Sequence, residues 1–141
     1  MKTASTIAFL ICAFVCETAS ACGDMGTPAD FPLNDEVSFA DFVERLRRGV
    51  ASDDKNAVAD SLDYPVTIAV KGKQRKIDRP EFVRRYSQIM TPKIRMAISE
   101  ARFVTRHDFS CLWWNWRGVM FGNGDVWVSG DNPTRSITFN N

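Results

Sequence analysis

The chain of 141 residues has little of what catalytic and metal sites are usually built from. It contains two tyrosines, four cysteines and one histidine. A single histidine excludes a metal site made of several imidazoles. It has no Gly-rich phosphate loop, no Cys-x-x-Cys pair and no Gly-x-Ser-x-Gly motif. We therefore predict no metal and no cofactor, and no residue receives a catalytic role from a motif.

Charge of one sign is also missing, because 18 Lys and Arg residues are balanced by 17 Asp and Glu residues, for a net charge of +1 at pH 7. Nucleic-acid-binding domains are usually strongly basic, so we do not expect nucleic acid as a partner. The apolar run at residues 7–16 is only about half the roughly 20 residues that a membrane-spanning helix needs. The sequence therefore predicts no transmembrane span.

That short apolar run fits an export signal instead. Lys2 precedes it and small residues at positions 19–21 follow it, which is the pattern of a secretory signal peptide and its cleavage site. We predict a signal peptide at residues 1–21, a flexible leader rich in turn-forming residues at 22–35, and one folded domain at 36–141. The mature protein is accordingly expected in the periplasm or outside the cell.

Cleavage after residue 21 would remove two of the four cysteines and leave Cys22 and Cys111. In an oxidising compartment these two are candidates for a disulfide. Residues 19–22 also resemble a bacterial lipobox, in which the cysteine is acylated and anchors the protein to a membrane. Cys22 is therefore a candidate either for a disulfide with Cys111 or for lipidation.

The first half of the domain shows helical periodicity around one hairpin. Ser38 is the expected N-cap of the first helix, and the β-branched run at residues 66–70 predicts a strand that turns back at Lys71-Gly72. Asp78-Arg79-Pro80-Glu81 is the strongest helix start, with Asp78 as N-cap and Glu81 at the reciprocal capping position.

From residue 103 onward the pattern changes to strands. Residues 111–121 are expected to form one strand, and Asn123-Gly124 a two-residue turn that leads into a strand at residues 125–129. A turn at residues 130–133 and a last strand follow. The sequence thus predicts an α+β domain in which N-terminal helices pack on a curved antiparallel sheet.

Several short segments and single residues point to a known family: Tyr64-Pro65-Val66, Ile77-Asp78, Phe82, Tyr86 and, above all, residues 115–127. Together with the order of elements, they resemble the NTF2-like (cystatin-like) superfamily, and within it small exported proteins of Gram-negative bacteria with no assigned function. The resemblance covers roughly residues 38–139 and implies a cone-shaped fold. That fold serves isomerases, dehydratases, transport factors and binding modules alike, so no residue role follows from it.

All four tryptophans occur late in the chain. On one continuous strand, Trp114 and Trp116 would share a face with Gly118 and Met120, and Trp113, Asn115 and Arg117 would share the other. We expect one face to meet the helices, either as a ligand pocket walled by indoles and gated by Arg117 or Asp125, or as an aromatic core. Trp127 is a further candidate for the pocket or an interface, and indoles left on the outer face would instead form a patch for a partner.

Few polar residues outside the tryptophan strand are candidates for a functional site. Tyr64, Tyr86 and either Asp63 or Asp125 would serve an isomerase-like site if they converge on a pocket. His107 is expected in a surface loop. The basic hairpin with Lys71, Lys73, Arg75 and Lys76 is interpreted as a sheet edge protected from aggregation, with binding to an anionic surface as the alternative.

The leading functional interpretation is an exported non-catalytic module that binds a small apolar ligand or a protein partner. One alternative is a small isomerase- or dehydratase-like enzyme that uses a tyrosine or aspartate in the pocket. Another is an immunity or inhibitor protein directed against an exported toxin or hydrolase. A homodimer that buries the tryptophan face is a further possibility.

Overall fold

The computed structural model describes residues 32–33, 35–129 and 137–141. The predicted signal peptide, Cys22, nearly all of the leader and the predicted turn at residues 130–133 lie outside the described residues. The helices are α1 (Glu36–Ala51), α2 (Lys55–Asp60), α3 (Arg79–Arg84), α4 (Tyr86–Ile89) and α5 (Pro92–Glu100). The strands are β1 (Val66–Val70), β2 (Lys73–Ile77), β3 (Arg102–Thr105), β4 (Asp108–Ser110), β5 (Leu112–Asn115), β6 (Gly118–Phe121), β7 (Val126–Ser129) and β8 (Ile137–Asn140).

Helix α1 begins earlier than the sequence pattern indicated. Asp35, not Ser38, is its N-cap, and the Asp35 carboxylate accepts a hydrogen bond from the Ser38 backbone amide at 2.9 Å. The expectation for Ser38 was wrong because an aspartate three residues earlier satisfies the free amides of the first turn. The apolar stripe is as expected: Phe39, Phe42, Val43, Leu46 and Val50 are all buried.

The start predicted for α3 is confirmed. The Asp78 carboxylate accepts from the Glu81 amide at 2.9 Å, and Pro80 lies in the first turn. The reciprocal half of the capping box does not form. The Glu81 side chain instead pairs with the guanidinium groups of Arg75 and Arg85, which outcompete a backbone amide for a carboxylate.

Within the described ranges, the main sheet has six strands in the order β2-β1-β8-β7-β6-β5. All neighbours are antiparallel except β1 and β8, which run parallel. The C-terminal strand therefore lies in the middle of the sheet and joins the first hairpin to the tryptophan-rich strands. The α+β class with a mostly antiparallel sheet is confirmed, with this one parallel pair as a correction.

The segment expected to be one strand, residues 111–121, is a hairpin. Leu112 pairs with Phe121 and Asn115 with Gly118, so the chain reverses at Trp116 and Arg117. The Asn115 carboxamide oxygen accepts the Arg117 amide at 2.8 Å, which stabilises this turn without a glycine. The expected two-residue turn at Asn123-Gly124 is instead a loop of four residues, 122–125, because Phe121 pairs with Val126.

The inner face of the sheet packs against the helices: between ring centroids, Phe39 of α1 lies 6.5 Å from Phe121, and Phe82 of α3 lies 5.8 Å from Phe139. The following side chains of this face are at most 3% exposed: Ile68, Leu112, Trp114, Val119, Phe121, Val126, Val128, Ile137 and Phe139. Strands β3 and β4 form a separate two-stranded sheet against α1, where Phe39 and Phe103 meet edge to face at 4.9 Å between ring centroids. The helices thus fill one side of the main sheet, and its other side presents the alternate residues.

Candidate functional site

The outer face of the main sheet has a continuous row of directly opposed residues. Trp113 lies opposite Met120, Met120 opposite Trp127, and Trp127 opposite Thr138, which in turn lies opposite Thr67. The row changes character along its length, from two indoles and a thioether on β5–β7 to two hydroxyl side chains on β8 and β1. The aromatic part of the outer face is therefore confined to one end of the sheet.

Trp113 and Trp127 form the base of this aromatic end. Their ring centroids are 6.4 Å apart and their planes are inclined by 43°, so the indoles form a shallow angle rather than a closed stack. Both side chains are partly exposed. Gly118 makes the arrangement possible, because a Cβ there would stand 2.8 Å from a Trp127 ring atom and 2.3 Å from the Val128 carbonyl oxygen.

The turn between β5 and β6 adds a third indole and a cation. Trp116 is 69% exposed, and the Arg117 guanidinium carbon lies 4.7 Å from the centroid of its ring. At an exposed site such a cation–π contact stabilises by about 0.5–1 kcal/mol. The contact therefore gives the guanidinium a preferred position at the rim of the aromatic end.

Together these side chains line an open groove with a volume of about 450 Å³. We call it the tryptophan groove. It combines three indoles with one amide, one hydroxyl and one cation, and no acidic side chain is among the described residues that line it. The lining residues are Trp113, Asn115, Trp116, Arg117, Trp127 and Ser129.

The structure brings together three of the predicted site residues, namely Trp116, Arg117 and Trp127. Sequence reasoning left Trp113 and Asn115 on the other face of the strand, away from Trp116 and Trp114. The face assignment was wrong because the turn after Asn115 interrupts the two-residue alternation. Asn115 itself was the available signal, since asparagine favours turns by bonding to the backbone two residues on.

Trp114 lies in the core and does not line the groove. It is 2% exposed, and its ring centroid is 4.2 Å from that of Phe109 and 6.4 Å from that of Phe103. Strands β3 and β4, which supply these two rings, cover the inner side of β5 at this point. Trp114 thus joins the small sheet to the main one.

Tyr64 and Tyr86 pack against the same ring. Each meets Phe82 edge to face, at centroid distances of 6.2 and 6.0 Å. Neither hydroxyl has a hydrogen-bond partner in the described part of the chain. Burial raises the pKa of Tyr64 to about 12 and raises that of Tyr86 as well, because the phenolate would lose its hydration.

The two tyrosines have different charged neighbours. Tyr64 lies near the ion pair of Arg79 with Asp60, whereas the Arg95 guanidinium lies 5.1 Å from the centroid of the Tyr86 ring and pairs with Asp53. These charges belong to separate ion pairs, so each hydroxyl has its own electrostatic surroundings. The tyrosines therefore share an apolar ring but no charged partner.

Asp125 lies in the loop between β6 and β7 and is 6% exposed. Lys93 Nζ on α5 lies 2.5 Å from Asp125 Oδ1 and forms an ion pair with it. The same loop approaches α5 at Gly122, where a Cβ would come within 2.9 Å of the Ala97 Cβ. Asp125 therefore ties the loop to α5 and is not among the residues that line the tryptophan groove.

The remaining candidates lie apart from the groove. Cys111 is buried and disulfide-bonded, while its predicted partner Cys22 lies outside the described residues. His107 is exposed in the turn between β3 and β4. On the edge strand β2, Lys73 is exposed and Arg75 pairs with Glu81, as befits a protected edge.

The described residues hold neither a metal centre nor a membrane-spanning helix. They contain no group of three or more His, Cys, Asp or Glu side chains placed to hold a metal ion. Nor does any helix in them have the length and apolarity to cross a bilayer. In comparisons with known proteins, no family model, no curated protein and no solved structure matches this chain.

Proposed function

We propose that this protein is an exported, non-catalytic binding module whose ligand site is the tryptophan groove. The observation that supports this most directly is the placement of three indoles at one end of an otherwise polar sheet face. Trp116 is 69% exposed there, although a tryptophan gains most by burial. Exposed clustered aromatic side chains are typical of surfaces that become buried when a ligand binds.

The size of the groove favours a small ligand, or one short segment of a larger one. Its volume of about 450 Å³ lies within the range of about 300–1,000 Å³ that is typical of small-molecule sites. A stable protein interface, in contrast, buries about 800 Å² on each partner and extends over many more residues. The six lining residues support a compact ligand better than a broad protein contact.

The enzyme alternative has less support from the geometry. An isomerase-like mechanism needs a base and a hydrogen-bond donor that face the same substrate. Tyr64 and Tyr86 lie near separate ion pairs, and Asp125 pairs with Lys93 on α5. None of the three lines the tryptophan groove.

The finer fold assignment is also part of this proposal. Packing of α1 and α5 on the inner face of a curved, open sheet supports an NTF2-like cone. In that arrangement the inner face, which faces the helices, is the usual place for a ligand. Here the inner side chains pack against buried aromatic residues of α1 and α3, such as Phe39 and Phe82, so we place the ligand on the outer face.

The indole N–H signals provide the test, because the chain has only four tryptophans. A library of small fragments is screened by nuclear magnetic resonance with ¹⁵N-labelled protein. We expect the hits to shift the signals of Trp113, Trp116 and Trp127 and to leave that of Trp114 in place. Single Trp→Phe variants assign the four signals.

The core residue Trp114 is the internal control in this screen. Hits that shift Trp114 alone, or that shift no indole signal, would contradict the groove as the ligand site. A Trp116→Ala variant that keeps the circular dichroism spectrum of the parent is expected to lose the hits. Unchanged binding by that variant would count equally against the proposal.

Export is tested by the intact mass of the protein from its native host. We expect a mass that lacks residues 1–21 and also two hydrogens, because Cys111 is disulfide-bonded and Cys22 is the other cysteine left after cleavage. Acyl groups on Cys22 would show a lipid anchor instead. The full-length mass would contradict export by this signal.

A further inference from the structure

Resting on the proposed function, which makes the tryptophan groove the ligand site, we infer that the ligand is a saccharide with a carboxylate substituent. The inference depends on four features of the groove, namely its open shape, its indole surfaces, its polar edge and its single cation. Each feature is matched by one part of an acidic sugar.

The indole surfaces match the flat apolar faces of a sugar ring. One face of a pyranose presents mainly C–H groups, which stack on an aromatic ring, while its hydroxyl groups point outward at the edge. Trp113 and Trp127, inclined by 43° with centroids 6.4 Å apart, offer two such surfaces in a shallow angle. Trp116 offers a third at the turn.

Gly118 holds one of these surfaces in place. Ring atoms of Trp127 occupy the space next to the β6 backbone that any side chain at residue 118 would need, at 2.8 and 2.9 Å from the position of a Cβ. One side of the indole is thus supported by the β6 backbone. A platform fixed before binding loses little conformational entropy when a ligand stacks on it.

The polar edge of the groove matches the hydroxyl groups of a sugar. The Asn115 carboxamide oxygen is held by the Arg117 amide at 2.8 Å, which fixes the orientation of the side chain. Its NH₂ group has no hydrogen-bond partner in the described part of the chain. Two N–H donors next to the indoles are therefore available for ring hydroxyl groups.

Arg117 is the reason why we expect a negative charge on the ligand. No carboxylate in the described part of the chain lies within ion-pairing distance of it, and none of the lining residues is acidic. The guanidinium is held over Trp116 instead. A carboxylate on the ligand would accept two parallel hydrogen bonds from it, which is the strongest interaction that a guanidinium makes.

The open shape argues against an alkyl chain as the ligand. A purely apolar ligand is usually bound in an enclosed cavity that removes most of its surface from water. Here an amide, a hydroxyl and a guanidinium line the same groove as the indoles. An amphipathic ring with polar edges satisfies both kinds of side chain.

Two matched pairs of disaccharides test the inference on the full mature chain. The acidic members are α-1,4-digalacturonic acid and the disaccharide of N-acetylglucosamine with N-acetylmuramic acid. The neutral members are α-1,4-galactobiose and chitobiose. Affinities are measured by the shifts of the indole N–H signals. We expect at least one acidic sugar to bind about tenfold more tightly than its neutral counterpart, as a charged hydrogen bond predicts.

Substitution of the cation separates its contribution from that of the indoles. Arg117→Ala is expected to lower the affinity for the acidic sugar about tenfold and to leave the neutral sugar unchanged. Trp127→Ala is expected to abolish binding of both. Lys73→Ala, which removes the same charge from the exposed edge strand β2, is the control and should change neither affinity.

Equal affinity for acidic and neutral sugars, or an Arg117→Ala variant with unchanged affinity, would overturn the inference. Failure of all four sugars to bind would overturn it too. The proposed function would still stand if fragments shift the N–H signals of the groove indoles. Binding of an oligoproline peptide in place of every sugar would also overturn it. Loss of every fragment hit would overturn both.

Discussion

Trp113 and Trp114 are neighbours on strand β5, yet they have opposite environments. Trp114 is 2% exposed and packs between Phe103 and Phe109, whereas Trp113 is partly exposed beside Trp127 in the tryptophan groove. Successive side chains of a strand point to opposite faces, and the helices cover only one of them. The same residue type therefore serves stability on one face and is available for recognition on the other.

Truncation of Trp114 and of Trp113 to alanine should give the largest difference in the free energy of unfolding. Trp114→Ala is expected to lower the free energy of unfolding by about 3–5 kcal/mol, because it removes a fully packed indole and leaves a cavity. Trp113→Ala should cost less, about 1–2 kcal/mol, since its ring is partly exposed and loses fewer packing contacts. Denaturant unfolding followed by circular dichroism measures both, and equal losses would show that the outer face is packed as tightly as the inner one.

A side chain at Gly118 tests how the outer face is built. Gly118→Ala is expected to cost about 1–3 kcal/mol, because the new methyl group would meet the Val128 carbonyl oxygen at 2.3 Å and the Trp127 ring. It should also displace the Trp127 indole signal and weaken ligand binding.

Gly72→Ala is the matched control for this substitution. Residue 72 has a φ of +76° and open space around it, so its cost of about 1–2 kcal/mol arises from the backbone alone. Ligand binding should be unchanged. A Gly118→Ala variant with an unshifted Trp127 signal would show that the glycine does not shape the groove.

Ionisation of the two tyrosines affects stability only at high pH, and it tests how well the inner layer excludes water. Both tyrosines of the chain have a raised pKa, Tyr64 to about 12, because burial disfavours the phenolate. The folded protein therefore keeps protons that the unfolded chain loses from about pH 10 upward. The contribution of the two tyrosines to stability should be constant well below pH 10 and fall as the pH rises toward 12.

The tyrosinate absorbance of the folded protein measures this shift, with the chain in concentrated denaturant as the control. We expect the unfolded chain to titrate near pH 10 and the folded chain well above it. Tyr64→Phe should leave one late-titrating tyrosine. Coincident titration curves would show that the two hydroxyls are in water.

Most local structure was predictable because it depends on residues a few positions apart. Asp78 and Pro80 mark the start of α3, and Lys71-Gly72, with φ values of 50° and 76°, forms the turn between β1 and β2. The wrong N-cap at Ser38 belongs to the same scale, since Asp35 is the stronger cap and lies only three residues away. Such errors shift a boundary without changing the fold.

The candidate site was predictable only in part, because it depends on which strand lies next to which. An unrecognised reversal at Trp116 and Arg117 inverted every face assignment after Asn115. With a side-chain period of two, any such irregularity exchanges the buried and exposed sets of a strand. Trp113 was therefore missed, and Trp114 was counted as a candidate for the pocket.

The sequence by itself determined the α+β class, the apolar stripe of α1 and the start of α3, since periodicity and capping are local properties of the chain. Only the tertiary structure decided that β8 lies between β1 and β7 and that three indoles meet outside the core. Those outcomes follow from hydrogen bonds between strands distant in the chain and from helices that cover one face of the sheet. The physical reason is that pairing and coverage are set by the competition among all the apolar surfaces of the molecule.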